Sequence, residues 1–131
     1  MQPTPPKWLR LRRPDGARRN NTEPMNHFVL KDMTPKVPGP GVEMRVIHGE
    51  KMTMAFFRLQ TGSAIPEHVH AHEQMGTVLR GTIELVVAGE KRVVRSGEAY
   101  HIPSNAIHSG QCGDGTAEVI EIFSPVREDL K

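Results

Sequence analysis

The sequence predicts an all-β domain, a sandwich or barrel of short strands, on three observations. From Val42 onward, short strand-like stretches are separated at close spacing by Gly, Pro and Asn turn signals. One stretch alternates cleanly, with Ile83, Leu85 and Val87 on one face and Thr82, Glu84 and Val86 on the other. No segment keeps a helical period over about eleven residues.

Taken in order, Val42–His48 and Met52–Gln60 flank Gly49-Glu50-Lys51 and read as a hairpin. Thr77–Arg80, Thr82–Ala88 and Arg92–Arg95 follow, broken at Gly81 and at Ala88-Gly89-Glu90. Glu98–Ile102 runs into Pro103-Ser104-Asn105, residues that suit a tight turn. Gly110 to Gly115 reads as a Gly-rich loop, with Cys112 an ordinary loop residue. Ala117–Phe123 is the last strand, and Pro125–Lys131 has room for one turn of helix.

A chain of 131 residues with 24% charged and 37% hydrophobic side chains fits one soluble domain with a single core. A single cysteine excludes an internal disulfide and any multi-cysteine metal site. No apolar run is long enough to span a bilayer, so no membrane partner is expected. The net charge of +2 conceals an asymmetry. Residues 1–24 carry Lys7, Arg10, Arg12, Arg13, Arg18 and Arg19 against Asp15 and Glu23, with five prolines and almost no apolar periodicity. They read as a basic, Pro-rich disordered tail or an extended start, leaving 25–131 as the folded domain. No aromatic interleaving accompanies that charge, so nucleic acid is not an expected partner. The paired arginines precede no apolar stretch, which argues against an export signal and for a cytoplasmic location.

The chemistry concentrates in His68-Val69-His70-Ala71-His72-Glu73-Gln74 and in His108, which follows a Pro-containing turn. Residues two apart on a strand share a face, so His68 and His70 can enter one cavity together. With Gln74 and His108 they would offer three imidazole nitrogens and an amide oxygen to one divalent metal: Mn, Fe, Co, Ni or Zn. Taken alone, the cluster fits a solvated turn as well. His72 shares the parity of His68 and His70 and reads as a donor behind the metal ligands, as a base, or as turned outward by a bend. Glu73 reads as a surface charge, and His101 as exposed or hydrogen-bonded. On the last strand Glu121 and Phe123 share one face, with Ile120 and Ile122 on the other. A carboxyl beside an aromatic in an apolar barrel has reason for a raised pKa and could move a proton. Arg127 could hold a substrate carboxylate through paired hydrogen bonds. The alternative is a structural Glu121–Arg127 ion pair at the barrel mouth.

The spacing extends outward from these ligands. Gly62, five residues, His68-x-His70, three residues, Gln74, six residues, Gly81 is followed by Gly97, five residues, Pro103, then Asn105 and His108. This resembles the two motifs of the cupin superfamily from about Val42 to Arg127, with Gln74 where cupins usually have Glu and Asn105 where they often have Gly. The resemblance implies a double-stranded β-helix, a small jelly roll. The ending Phe-Ser-Pro-x-Arg-Glu-Asp narrows it to the small ketoisomerase cupins of pectin and alginate degradation, which help linearise unsaturated monouronates. That group implies His68, His70, Gln74 and His108 as metal ligands. It also implies a pocket lined by Glu121, Phe123 and Arg127, with Glu121 in place of the group's usual Asp. Glu121, Arg127 and His72 are then the catalytic candidates, and Phe123 and Arg127 the substrate-binding ones. The implied activity is isomerisation or tautomerisation of a small anionic sugar acid, and the implied assembly is a homodimer. A metal-dependent oxygenase or cyclase-like cupin, and a non-catalytic sugar-acid binding module, are the competing classes.

Overall fold

The structure, a computed structural model, describes residues 24–131 together with Pro3, Thr4 and Lys7. The basic tail expected over 1–24 therefore lies almost wholly outside the described residues. Ten strands follow in order: β1 (Lys36–Gly39), β2 (Val42–His48), β3 (Thr53–Leu59), β4 (Ala64–His68), β5 (Glu73–Arg80), β6 (Thr82–Val87), β7 (Glu90–Arg95), β8 (Ala99–Ile102), β9 (His108–Cys112) and β10 (Ala117–Ser124). Single 3-10 turns stand at Leu30–Asp32 and Glu128–Leu130. Among the described residues no helix is long and apolar enough to cross a membrane.

The strands form two antiparallel sheets, β1-β2-β3-β10-β5-β8 and β4-β9-β6-β7. Sequence neighbours are dealt to different sheets: β4 leaves the first sheet, β5 returns to it, and β9 lies between β4 and β6. This is the jelly-roll arrangement, two sheets closing on a core from opposite sides.

Alternation decides what enters that core. On β10, Ala117, Val119, Glu121 and Phe123 are buried, while Ile122 and Ser124 face outward. On β6, Ile83 and Leu85 point inward, as the alternating pattern predicts. They meet Val42, Leu59, Val78, Val94, Cys112 and Val119 in the main cluster. Met44, Ala55 and Phe123 form a smaller cluster nearer the site. Val42, Val78 and Ile102 are essentially sealed from solvent, and each such side chain contributes roughly 1.5–3 kcal/mol by burial.

Three strands are not legible from local composition. β1 contains Pro38 and Gly39, and β4 contains Pro66. Both lie at sheet edges, where a missing N–H costs no ladder hydrogen bond. β9 (His-Ser-Gly-Gln-Cys) has little strand propensity and forms because β4 and β6 flank it. Cys112 is consequently a buried strand residue rather than the loop residue expected. Its Sγ lies 3.2 Å from the Gly115 carbonyl, and burial raises its pKa. β5 also begins earlier than expected, at Glu73, which places Gln74 in a sheet.

Candidate metal centre

Register brings the two motifs together. His68, the last residue of β4, pairs directly with His108, the first of β9. Gln74 on β5 lies between Phe123 of β10 and Ile102 of β8. His70 is not on a strand with His68, as the alternation argument supposes; it lies in the link between β4 and β5. That link is tied to the second motif, because the Asn105 N–H donates to the His70 carbonyl at 2.9 Å. Asn105 adopts φ 63°, the left-handed region that Asn tolerates better than most residues. Asn at this glycine-favouring position therefore preserves the turn.

The imidazoles of His68, His70 and His108 converge. The His68 and His108 rings are 4.1 Å apart by centroid, and those of His70 and His108 are 4.9 Å apart. One nitrogen from each lies within 4.8 Å of the others. All three rings are anchored in the same way. Nδ1 of His68 donates to the Pro66 carbonyl at 2.8 Å, that of His70 to the His72 carbonyl at 3.0 Å, and that of His108 to the Ala106 carbonyl at 2.8 Å. A carbonyl only accepts, so each proton sits on Nδ1 and each Nε2 keeps a lone pair. Nε2 of His70 and of His108 is buried without a partner, as is Oε1 of Gln74. Buried polar atoms are rarely left unpaired. Three such acceptors among residues of one cluster, on rings oriented through backbone carbonyls, fit a divalent cation. Burial, helped by the charge of Arg127, lowers the His70 pKa to about 4, and burial also lowers that of His108. Both rings are therefore neutral and able to ligate near pH 7.

Glu121 completes the interior. It is 7% exposed, Gln74 and His108 are 4% exposed, and all three line a cavity of about 180 Å³ with His68, Phe123 and Arg127. Its Oε1 accepts the Tyr100 hydroxyl at 2.9 Å, and its Oε2 accepts the Gln74 amide N–H. Burial is the main cause that lifts its pKa to about 7, against the opposing effects of the Tyr100 hydrogen bond and the Arg127 charge. Burial and the neighbouring Glu121 raise the pKa of Tyr100 well above its ordinary value.

Arg127 does not form the alternative ion pair with Glu121. Its Nε and Nη2 reach the two carboxylate oxygens of Asp129 at 3.0 and 2.8 Å, and its guanidinium lies 4.7 Å over the Phe123 ring. These hydrogen bonds hold the Asp129 carboxyl down at about 2. The backbone N–H of Arg127 donates to buried Thr53 Oγ1 at 2.9 Å. His72 stands apart from the cavity lining. Its Nε2 faces the Val126 carbonyl at 3.2 Å, its Nδ1 is buried and unpaired, and its own carbonyl anchors His70. Glu73 is exposed and bonded to His101 Nε2 at 2.9 Å, so both remain at the surface.

Sequence reasoning passes over Tyr100, Gly76, Thr53 and Asp129. A glycine inside a strand often marks a close approach, but the strand expected from Thr77 leaves Gly76 outside, and only the earlier start of β5 turns it into a signal. It pairs with Tyr100 on one side and Glu121 on the other. A Cβ at position 76 would overlap the Tyr100 ring and hydroxyl, so the glycine provides the path by which Tyr100 reaches Glu121.

Two facing antiparallel sheets holding three inward histidines at one end define a cupin. Residues 55–123 match the Cupin domain family model, and the chain belongs to the cupin family. It is 30% identical over 109 residues to the pectin degradation protein KdgF of Dickeya dadantii (strain 3937), covering 81% of this chain and 99% of that relative. Among solved structures it resembles KdgF from a Halomonas species, with a TM-score of 0.77 and 25% identity over 82% of this chain and all of that one. An RmlC-like cupin from Shewanella frigidimarina superposes with a TM-score of 0.74 at 23% identity, over 82% of this chain and 97% of that one, a likeness of fold. The match is thus to a KdgF-like cupin along nearly the whole length of the relatives.

Proposed function

We propose that this protein is a metal-dependent isomerase or tautomerase acting on a small, unsaturated, uronate-like sugar acid. The observation that carries this reading is a buried carboxyl, Glu121, lining the same small cavity as His68, Gln74 and His108, with a His70 nitrogen within 4.8 Å of those of His68 and His108. The likeness to a pectin degradation protein supports the substrate class. When bound, a divalent ion held by these four neutral donors would keep its full charge and act as a Lewis acid toward carbonyl or enol oxygens.

The chain's own groups supply the rest. Glu121 has a pKa of about 7, so near neutral pH it can both take and return a proton. Each of its oxygens accepts one hydrogen bond and keeps a second lone pair free to receive that proton. It carries the proton between oxygen and carbon of an enol–keto pair. Arg127, stacked on Phe123 and lining the cavity, orients the substrate carboxylate through the guanidinium edge that Asp129 does not take. The apolar wall of Val42, Met44, Leu85 and Ile102 keeps bulk water from the enol. His72 acts from outside, by holding His70 and the Val126 backbone in place.

The test is to incubate metal-loaded protein with freshly generated 4,5-unsaturated galacturonate and mannuronate under nitrogen, following ultraviolet loss and proton NMR. Loss that is accelerated without oxygen and abolished by His108→Ala is the expected result. No acceleration by protein with metal bound refutes the uronate assignment, and a requirement for oxygen favours an oxygenase instead.

A further inference from the structure

We infer that Glu121 is a positioning residue for the metal site: its carboxylate fixes which end of the Gln74 amide is offered to the cation. The inference rests on the metal reading of the site but not on the proposed substrate or reaction.

An amide side chain has a donor end and an acceptor end of nearly the same shape. Only the oxygen can ligate a cation, and an inverted amide would point two N–H hydrogens at it. A glutamine ligand therefore needs something to choose its orientation. Here the Gln74 amide nitrogen donates to Glu121 Oε2, while its oxygen is buried and unpaired. Both Glu121 oxygens act as acceptors here, one from the Gln74 amide nitrogen and one from the Tyr100 hydroxyl, so the amide nitrogen faces the carboxyl group and Oε1 faces away. Glu121 is held in turn, because the Tyr100 hydroxyl donates to its other oxygen at 2.9 Å across the gap left by Gly76. The result is a chain of directed hydrogen bonds, Tyr100 to Glu121 and Gln74 to Glu121, whose free end is the Gln74 carbonyl oxygen.

The same logic accounts for the glutamine itself. A glutamate at 74 would place a second carboxylate against the Glu121 oxygen, and two acceptors in contact repel unless a proton lies between them. Glutamine at 74 and a carboxylate at 121 are thus one paired choice. The Glu121 side chain reaches both Tyr100 and Gln74 here.

The experiment titrates metal-free, full-length protein with Co²⁺, read by calorimetry and by the visible bands of the bound ion. Glu121→Met keeps the bulk of the side chain but cannot accept the amide, and is expected to weaken Co²⁺ binding by about 10–100-fold. Glu121→Gln still offers an acceptor oxygen to Gln74, and is expected to hold Co²⁺ near the parent affinity. Parent-like binding by Glu121→Met, or an equal loss in both variants, overturns the inference. If Glu121→Met does not fold, Gln74→Glu decides against the double variant Gln74→Glu/Glu121→Gln. The double variant should bind Co²⁺ at least about tenfold more tightly, since its amide can donate to the new carboxylate. Equal affinity of those two overturns the inference. A parent chain that binds no Co²⁺ overturns the metal reading and this inference together.

Discussion

The buried carboxyl at 121 makes the metal-free protein's stability depend on pH in a sense opposite to that of a typical surface acid. Its folded pKa is raised from 4.5 to about 7. Below pH 4.5 the group is protonated in both states and contributes no pH-dependent difference. As pH rises through 7 the unfolded chain has already ionised freely, while the folded one must ionise in a buried site. The penalty reaches about 3 kcal/mol above that range. Glu121→Gln removes the titration and keeps the shape. The stability difference, variant minus parent, should therefore grow by most of that amount between about pH 5 and about pH 8. Using the difference matters because His70 acts the other way. Its pKa lies below its ordinary value, so its contribution is present above pH 6.5 and lost as pH falls toward about 4. That contribution is common to both chains and cancels. Urea denaturation of metal-free parent and variant at the two pH values, followed by circular dichroism, measures it. A difference that stays constant with pH, or shrinks as pH rises, refutes the account of Glu121.

Three further outcomes follow from the geometry. Gly76→Ala drives a methyl into the Tyr100 ring; it should lower thermal stability by roughly 1–3 kcal/mol and reduce turnover, as seen by calorimetry and steady-state rates. Phe123→Ala empties a buried position that supports both the Arg127 guanidinium and the His70 ring; urea titration should show a loss of roughly 3–5 kcal/mol. Arg127→Lys keeps the charge but loses the planar fork, so KM for an anionic substrate should rise by about tenfold with kcat much less affected.

Much of this fold is legible in the residues, for identifiable reasons. β2, β3, β6 and β10 announce themselves because one face of each is apolar, or because turn residues bracket it. β1, β4 and β9 do not, because Pro38, Pro66 and the Ser109-Gly110 pair carry no local preference for a strand. β4 and β9 take their state from partners far away in the chain, and β1 from the strand β2 that follows it. The candidate ligands are legible because imidazole and amide groups at fixed spacing have few other uses. Their supports are not: Tyr100 and Thr53 look like ordinary strand residues until register places them against Glu121 and Arg127. Asp129 lies two residues past Arg127, yet nothing local shows that its carboxylate would occupy the guanidinium.

The three backbone-anchored imidazoles have an entropic consequence. A flexible histidine loses rotamer freedom when it captures an ion, and affinity falls by that amount. Here the freedom is already gone, surrendered to the carbonyls of Pro66, His72 and Ala106 while the chain folds. The ordering cost thus falls on the folding equilibrium instead of the binding one. Rings held in this way cannot swing to follow an ion of different radius. A cation that fits meets a finished socket, and one that does not fit feels the whole of its mismatch.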